Sequence, residues 1–127
     1  SEDKEITVWL AFENYFFAEL SSLKNNTTSR FSIQAFENCV LYTIPYVQME
    51  QLFNQYPGWQ KFGREIWEQA YLNVVDGIIA HQTMTAEERY LMALQQPEIM
   101  KRVPLRYVAS FLGITTSSLS RLRRKIK

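Results

Sequence analysis

The first 45 residues contain short runs in which apolar residues either cluster or alternate with polar ones. Positions 6–12 are rich in β-branched and aromatic residues, and a second apolar run covers positions 15–20. Positions 30–35 alternate between polar and apolar with a period of two, and positions 39–44 form a fourth run. Such runs, separated by turn-forming residues, predict about four successive strands of an antiparallel roll or sandwich. A sheet of this size has open edges, so we expect further chain or a partner to complete it.

A helical pattern replaces this alternation after Pro45. A short amphipathic segment over positions 47–57 is expected to stop at the Pro57-Gly58 pair. From position 59 to 81 there is no proline, and apolar residues recur at spacings of four, three and four. These residues are Trp67, Tyr71, Val74 and Ile78, and a neighbouring face carries Gly63, Ile66, Ala70, Asn73, Gly77 and Ala80. The pattern predicts a helix over 59–81 that packs on the sheet and pairs with a second copy of the chain, or else has both faces covered within one chain.

Another helical stretch follows a break at residues 83–85. Thr85 and Glu88 have the spacing of a capping box, in which each side chain accepts a hydrogen bond from the backbone N–H of the other residue. The pattern predicts a helix that begins at Thr85 and ends at Gln96, before Pro97. The break ahead of it is a candidate hinge.

Positions 104–127 have the spacing of two helices that cross at a tight turn. Val108 and Leu112 mark the inner face of the first helix, and Ala109 is small where a second helix must cross closely. Gly113 permits the turn, and Thr115 is a suitable N-cap. The inner side of the turn and of the second helix consists of Ile114, Leu119 and Leu122. The pattern predicts a helix-turn-helix, with an ordinary helical hairpin as the alternative.

The formal charge of +1 conceals a strong asymmetry along the chain. The first 100 residues carry all 13 acidic residues and six basic ones, a net charge of −7. Residues 101–127 carry eight basic residues and no acidic one, a net charge of +8. The eight are Lys101, Arg102, Arg106, Arg121, Arg123, Arg124, Lys125 and Lys127. A segment of this charge attracts polyanions, which favours double-stranded DNA as the partner of the predicted helix-turn-helix.

The outer face of the second helix is polar and basic, and it comprises Thr116, Ser117, Ser120, Arg121, Arg124 and Lys125. Arg121 is the expected reader of a guanine, because a guanidinium can bond O6 and N7 together. We expect Thr116, Ser117 and Ser120 to touch base edges or nearby phosphates. The residues expected to hold phosphates are Thr115, Arg106, Arg123 and Arg124. A dimeric module whose basic helix binds an acidic protein or RNA is the alternative function.

The residue inventory gives no support for catalysis. Cys39 is the only cysteine, which excludes an internal disulfide and a metal site built from several thiolates, and fits a reducing cytoplasm. His81 is the only histidine and has no nucleophile or carboxylate pattern beside it, so we predict no catalytic residue, no metal ligand and no enzyme. Residues 58–65 approach a phosphate-binding loop, but Arg64 and Glu65 replace its Lys and Ser or Thr. No apolar stretch is long enough to cross a bilayer, so a soluble cytoplasmic protein is expected.

Positions 108–126 (VASFLGITTSSLSRLRRKI) resemble the DNA-binding motif of the Crp/Fnr family of bacterial transcription regulators. Positions 16–35 (FFAELSSLKNNTTSRFSIQA) resemble the segment that wraps a cyclic nucleotide in members of that family. The resemblance covers essentially the whole chain and implies an α+β fold. Its parts are a partial antiparallel β-roll of the jelly-roll type (1–57), a long dimerisation helix with a hinge (58–84) and a helix-turn-helix of the winged-helix type (85–127). It implies a homodimeric transcription regulator on two-fold symmetric DNA, with RNA polymerase as a further partner.

The resemblance also implies an effector site at Glu19, Leu20, Ser29 and Arg30. Ala18 stands where the family has a glycine, and its Cβ would crowd a backbone that must approach a phosphate. This departure counts against cyclic AMP, so the cofactor stays unknown, with a cyclic nucleotide as one candidate. Glu19 and Arg30 alternatively form a structural ion pair or exposed charges. The family's roll begins before position 1, so we expect the opening residues, which lack an initiator Met, to be the trimmed edge of a longer protein.

Overall fold

A computed structural model describes residues 5–126 of the chain; residues 1–4, at the start of the predicted roll, and Lys127 lie outside the described range. The described residues form seven helices: α1 (Leu20–Asn25), α2 (Tyr46–Gln55), α3 (Pro57–Thr83), α4 (Ala86–Leu94), α5 (Pro97–Arg102), α6 (Leu105–Leu112) and α7 (Thr116–Lys125). No helix among them combines the length and the apolar character that a bilayer-spanning segment requires.

The predicted α+β fold with a partial β-roll is wrong, because residues 5–126 contain helices and no strand. The runs at 6–12, 30–35 and 39–44 have no regular secondary structure, and the run at 15–20 leads into α1. The cyclic-nucleotide-binding-like domain and the wing of a winged helix need strands, so these two predictions are wrong for the described residues as well.

The β-roll prediction fails for a physical reason. Alternation of polar and apolar residues shows that a segment could pack as a strand, but it does not supply the neighbouring strand. A strand persists where a second strand satisfies its backbone N–H and C=O groups, and short unpaired strands are marginal. In residues 14–26, local hydrogen bonds and turns compete with pairing between strands. The Glu19 carboxylate accepts from the Ser21 and Ser22 N–H groups at the start of α1. Asn14 and Asn26 take left-handed turn conformations, with φ of 65° and 51°.

The described residues divide into two compact units: a central unit, Ala11–Val74, and a C-terminal unit made of residues 5–10 with residues 75–126. In the C-terminal unit, α4 to α7 pack around a buried core of Tyr90, Ala93, Ile99, Val103, Val108, Ala109, Leu112 and Leu119, with Ala80 from the end of α3. Residues 5–10 are joined to α6 by one hydrogen bond, in which the Thr7 N–H donates to Ser110 Oγ at 2.8 Å. The C-terminal unit therefore has its own apolar core.

Local signals set the helix ends in the C-terminal unit. The predicted capping box is confirmed, since the Glu88 N–H donates to Thr85 Oγ1 at 3.2 Å and the Thr85 N–H donates to Glu88 Oε2 at 2.7 Å. The bond from the Thr85 backbone holds the pKa of Glu88 below its usual value, because it favours the carboxylate. α4 ends at Leu94, before the predicted Gln96, and α5 begins at Pro97, whose missing N–H is not needed in a first turn.

The central unit is held mainly by aromatic contacts. The Phe53 ring covers Gly63, where an added Cβ would lie 2.6 Å from Phe53 Cε1. The Phe62 ring meets Trp59 and Phe16 edge to face, at centroid distances of 5.4 and 6.3 Å. Gly63 is the one buried residue of positions 11–74, all of which the structure describes. This unit therefore has contacts around α3 but no extended buried core.

α3 is continuous over 27 residues and includes the predicted helix at 59–81. Its predicted apolar stripe, Trp67, Tyr71, Val74 and Ile78, is 48%, 69%, 49% and 52% exposed. No described part of the chain covers these four side chains fully. These four side chains form the α3 stripe.

Candidate nucleic-acid interface

A tight turn at residues 113–115 joins α6 to α7. Gly113 has a φ of 68°, in the left-handed region that favours glycine. Its N–H donates to Ser110 O at 3.0 Å, and the Ile114 N–H donates to Ala109 O at 3.0 Å, which is the bond pattern of a Schellman motif. A Cβ added at position 113 would lie 3.0 Å from Cε1 of His81, at the end of α3. The left-handed backbone conformation and the close approach of His81 thus both favour glycine at position 113.

Thr115 caps the N-terminus of α7, because its Oγ1 accepts the Ser118 N–H at 3.1 Å. This bond satisfies one of the backbone donors that the first turn of a helix leaves unpaired. Thr116 and Ser117 follow it and are exposed. The start of α7 therefore combines exposed hydroxyls with the positive end of a helix dipole, a setting that favours anions.

α7 has a buried side and an exposed side. Leu119 is 1% exposed, and Leu122 and Ile126 are half-buried, so this side belongs to the core of the C-terminal unit. The opposite side consists of the polar and basic residues Thr116, Ser117, Ser120, Arg121, Arg124 and Lys125, all of them exposed. The outer face expected from the sequence is therefore accessible along the whole helix.

The side chain of Arg121 is held on the helix to which it belongs. Its Nη2 donates to Ser118 Oγ at 3.1 Å, and Ser118 Oγ lies 3.0 Å from Thr115 Oγ1. The predicted guanine reader is thus connected to the N-cap through a serine that the sequence patterns did not single out.

The predicted phosphate contacts lie on both helices of the motif. Arg123 and Arg124 are exposed in the last turn of α7. Arg106 is exposed in the first turn of α6, and its guanidinium lies over the Tyr107 ring, 4.5 Å from the centroid. Lys125, also on the outer face, pairs with Glu87 of α4, with 2.7 Å between Nζ and Oε2. The pair links α7 to α4 and offsets part of the positive charge at that end.

Arg89 of α4 supports the turn from behind. Its Nε donates to Leu112 O at 2.9 Å and its Nη1 donates to Met84 O at 2.7 Å. Leu112 is the last residue of α6, and Met84 lies in the break between α3 and α4. One guanidinium therefore joins the predicted hinge to the start of the helix-turn-helix turn.

The polar residues of the expected effector site bond to residues close to them in the sequence. Arg30 Nη2 lies 3.0 Å from Glu19 Oε1, an ion pair that holds the pKa of Glu19 below its usual value through the hydrogen bond from Arg30. Ser29 Oγ donates to Phe31 O at 2.9 Å, and Leu20 is the first residue of α1 and 37% exposed. The structure brings Glu19 and Arg30 together as a pair, the alternative named from the sequence, and shows no roll around them.

Three polar residues that support the helix-turn-helix were not identified from the sequence: Ser118, Glu87 and Arg89. The spacing of three residues between Ser118 and Arg121 is a signal that could have found the first. Glu87 and Lys125 are 38 positions apart, and Arg89 and Leu112 are 23 apart, so no local pattern connects them.

The exposed side of α7 is suited to binding a nucleic acid. Hydroxyls donate and accept hydrogen bonds and guanidiniums donate in a fork, so this face can bond base edges and phosphate oxygens. A helix of 10 residues, about 15 Å long, can lie in a major groove. Among the described residues, no group of three or more His, Cys, Asp or Glu is placed to hold a metal ion. No protein-family model, curated protein or solved structure matches the chain.

Proposed function

We propose that this protein binds double-stranded DNA with sequence preference and places the exposed side of α7 in the major groove. The observation that carries the proposal is the two-sided character of α7. Leu119 is buried in the core, whereas the polar and basic residues opposite it are all exposed. The Schellman turn at Gly113 and the cap at Thr115 separate α7 from α6, so that α7 lies at the surface as a distinct helix.

The distribution of charge supports a nucleic-acid partner. The segment from residue 101 onward has a net charge of +8, while the first 100 residues have −7. Arg121 is the base-reading residue, and Thr116, Ser117 and Ser120 contact base edges or nearby phosphates. Thr115 with the first backbone N–H groups of α7, Arg106, Arg123 and Arg124 hold phosphates.

The α3 stripe supports action as a homodimer. Its four apolar side chains recur with coiled-coil spacing and are exposed along the 27-residue helix. A parallel pair of such helices buries the two stripes against each other and makes the DNA site two-fold symmetric. With the resemblance of positions 108–126 to Crp/Fnr regulators, this gives a cytoplasmic transcription regulator, with RNA polymerase as a further partner.

A salt titration of DNA binding tests the proposal. The logarithm of the association constant should fall by about 0.9 for each phosphate contact per tenfold rise in salt, measured by fluorescence anisotropy on a random duplex. A matched RNA duplex and an acidic peptide are run beside it. Binding to either of these with no binding to DNA would refute the proposal and favour the alternative function.

Selection of bound sites from random DNA then tests sequence preference. Arg121→Ala should weaken binding by about 1–3 kcal/mol and relax the preference at one base pair. Lys61→Ala removes one positive charge from α3, where Lys61 is 69% exposed, and is the matched control. Uniform weakening on all sequences by Arg121→Ala would refute its reading role.

Dimer formation is measured separately by sedimentation. Tyr71→Lys places a charge in the middle of the α3 stripe and should shift the chain toward a monomer. Gln60→Lys also introduces a lysine at an exposed position of α3, but outside the stripe, and should leave the dimer intact. A monomer at all concentrations, before any substitution, would refute the homodimer.

A further inference from the structure

Thr115, Ser118 and Arg121 are joined by hydrogen bonds along one side of α7. Arg121 Nη2 lies 3.1 Å from Ser118 Oγ, and Ser118 Oγ lies 3.0 Å from Thr115 Oγ1. The Ser118 N–H also donates to Thr115 Oγ1, at 3.1 Å. The residues are spaced three apart, so they follow one another on the same face of the helix.

The direction of the donated hydrogens follows from the chemistry of the side chains. Arginine has only donors, so Ser118 Oγ accepts from Arg121. Ser118 Oγ also accepts the hydroxyl hydrogen of Thr115, whose Oγ1 in turn accepts the Ser118 N–H. Because that hydrogen is used, Ser117 Oγ is the donor in its 3.3 Å contact with Thr115 Oγ1. Donors and acceptors are thus consistent from the N-cap to the guanidinium.

We infer that Ser118 is a positioning residue for DNA recognition, whose hydroxyl holds the Arg121 guanidinium toward the N-terminal end of α7. The inference rests on the proposed function and adds a residue that sets its specificity. Holding Arg121 in the free protein reduces the ordering cost on binding, since a free arginine side chain carries about 2 kcal/mol of rotamer entropy. One donor of the guanidinium is used, and the others stay available for guanine O6 and N7.

The inference separates Ser118 from the hydroxyls that contact DNA directly. Ser118 is half-buried, whereas Thr116, Ser117 and Ser120 are exposed. A direct phosphate contact by Ser118 would affect every DNA sequence alike. A positioning role acts through Arg121 and therefore affects only the base pair that Arg121 reads.

The test measures discrimination, which is the dissociation constant for the site with the Arg121 guanine replaced divided by the dissociation constant for the selected site. Ser118→Ala should reduce this ratio about 5- to 10-fold, as expected for the loss of one charge-assisted hydrogen bond in a partly exposed setting. Ser118→Thr keeps the hydroxyl and should restore the ratio. Affinity for random DNA and its salt dependence should stay unchanged in Ser118→Ala, as in the control Ser32→Ala, an exposed serine of the central unit.

A double substitution completes the test. In the Arg121→Ala background, Ser118→Ala should have no further effect on discrimination. A further loss there, an equal weakening on all sequences, or an unchanged ratio in Ser118→Ala would each overturn the inference while the proposed function stands. Circular dichroism of each variant should show unchanged helix content, since the Thr115 cap accepts from the Ser118 backbone N–H, which these substitutions keep.

A measurement without DNA keeps the two proposals distinguishable. Nitrogen-15 relaxation at Arg121 Nε should show greater motion in Ser118→Ala than in the unsubstituted protein or in Ser118→Thr. Unchanged motion would overturn the positioning role whatever the DNA result. Greater motion with no binding of DNA by the unsubstituted protein would overturn the proposed function instead, and with it the effect on discrimination.

Discussion

Arg89 is the side chain whose replacement should reveal most about how the helix-turn-helix is held. It bonds the carbonyl oxygens of Met84 and Leu112, at 2.7 and 2.9 Å, and it is half-buried. Arg89→Ala removes both bonds at once. It leaves Leu112 O, at the end of α6, without this charged donor and releases the break between α3 and α4 from the turn.

The expected magnitude follows from the number and kind of bonds. A hydrogen bond to a charged group contributes about 1.5–3 kcal/mol to stability, and water at this half-buried site replaces part of it. Two such bonds give an expected loss of about 2–3 kcal/mol in the free energy of unfolding of the C-terminal unit. Arg64→Ala is the matched control, because it removes an arginine whose ion pair with Glu68 is 3.6 Å long and highly exposed. Its expected loss is about 0.5 kcal/mol or less.

Urea unfolding followed by circular dichroism measures the difference, and hydrogen exchange assigns it to a unit. Amide protection in α6 and α7 should fall in Arg89→Ala, whereas Arg64→Ala should leave it unchanged. Equal stability of the two variants, or a loss of protection confined to the central unit, would show that Arg89 does not support the turn.

Three further predictions concern the same unit. Gly113→Ala should destabilise it by about 1–2 kcal/mol because of the left-handed φ of 68°, whereas Gly58→Ala, with open space around it, should stay within about 0.5 kcal/mol in the same urea assay. Leu119→Ala should cost about 3 kcal/mol in thermal or urea unfolding, and a loss below about 1 kcal/mol would contradict its place in the core. The backbone hydrogen bond that lowers the pKa of Glu88 contributes stability that is present above its ordinary value of 4.5 and is lost as the pH falls through the lowered value. The free energy of unfolding should therefore fall more between pH 6 and pH 3 in the unsubstituted protein than in Glu88→Gln. Parallel pH profiles of the two proteins would contradict this linkage.

Local features of the C-terminal unit could be predicted from the sequence because their causes are local. The capping box needs only Thr85 and Glu88, three positions apart, and the turn needs a residue that accepts a left-handed φ at position 113. The N-cap at Thr115 and the burial of Leu119 follow from helical spacing in the same way. These elements lie where the pattern indicates.

The first half of the chain could not be predicted in this way, because a sheet depends on partners that alternation does not specify. Residues 30–35 have the polar and apolar pattern of a strand, yet Arg30 pairs with Glu19 and the segment stays irregular. The long-range contacts of the candidate interface present the same difficulty. Arg89 reaches Leu112 and Glu87 reaches Lys125 only because α4 packs beside α6 and α7, which no short window of sequence encodes.

The side chains that build the α6–α7 pair and those that face outward from α7 form two sets without a common member. Val108, Ala109, Leu112 and Leu119 point into the core, and Thr116, Ser117, Ser120 and Arg121 are exposed. Exposed substitutions typically change stability by less than about 0.5 kcal/mol. A library that randomises the outward set should therefore explore new targets at nearly constant folding free energy. In the proposed function, the same independence would let duplicated copies of the protein diverge in what they recognise while keeping one scaffold.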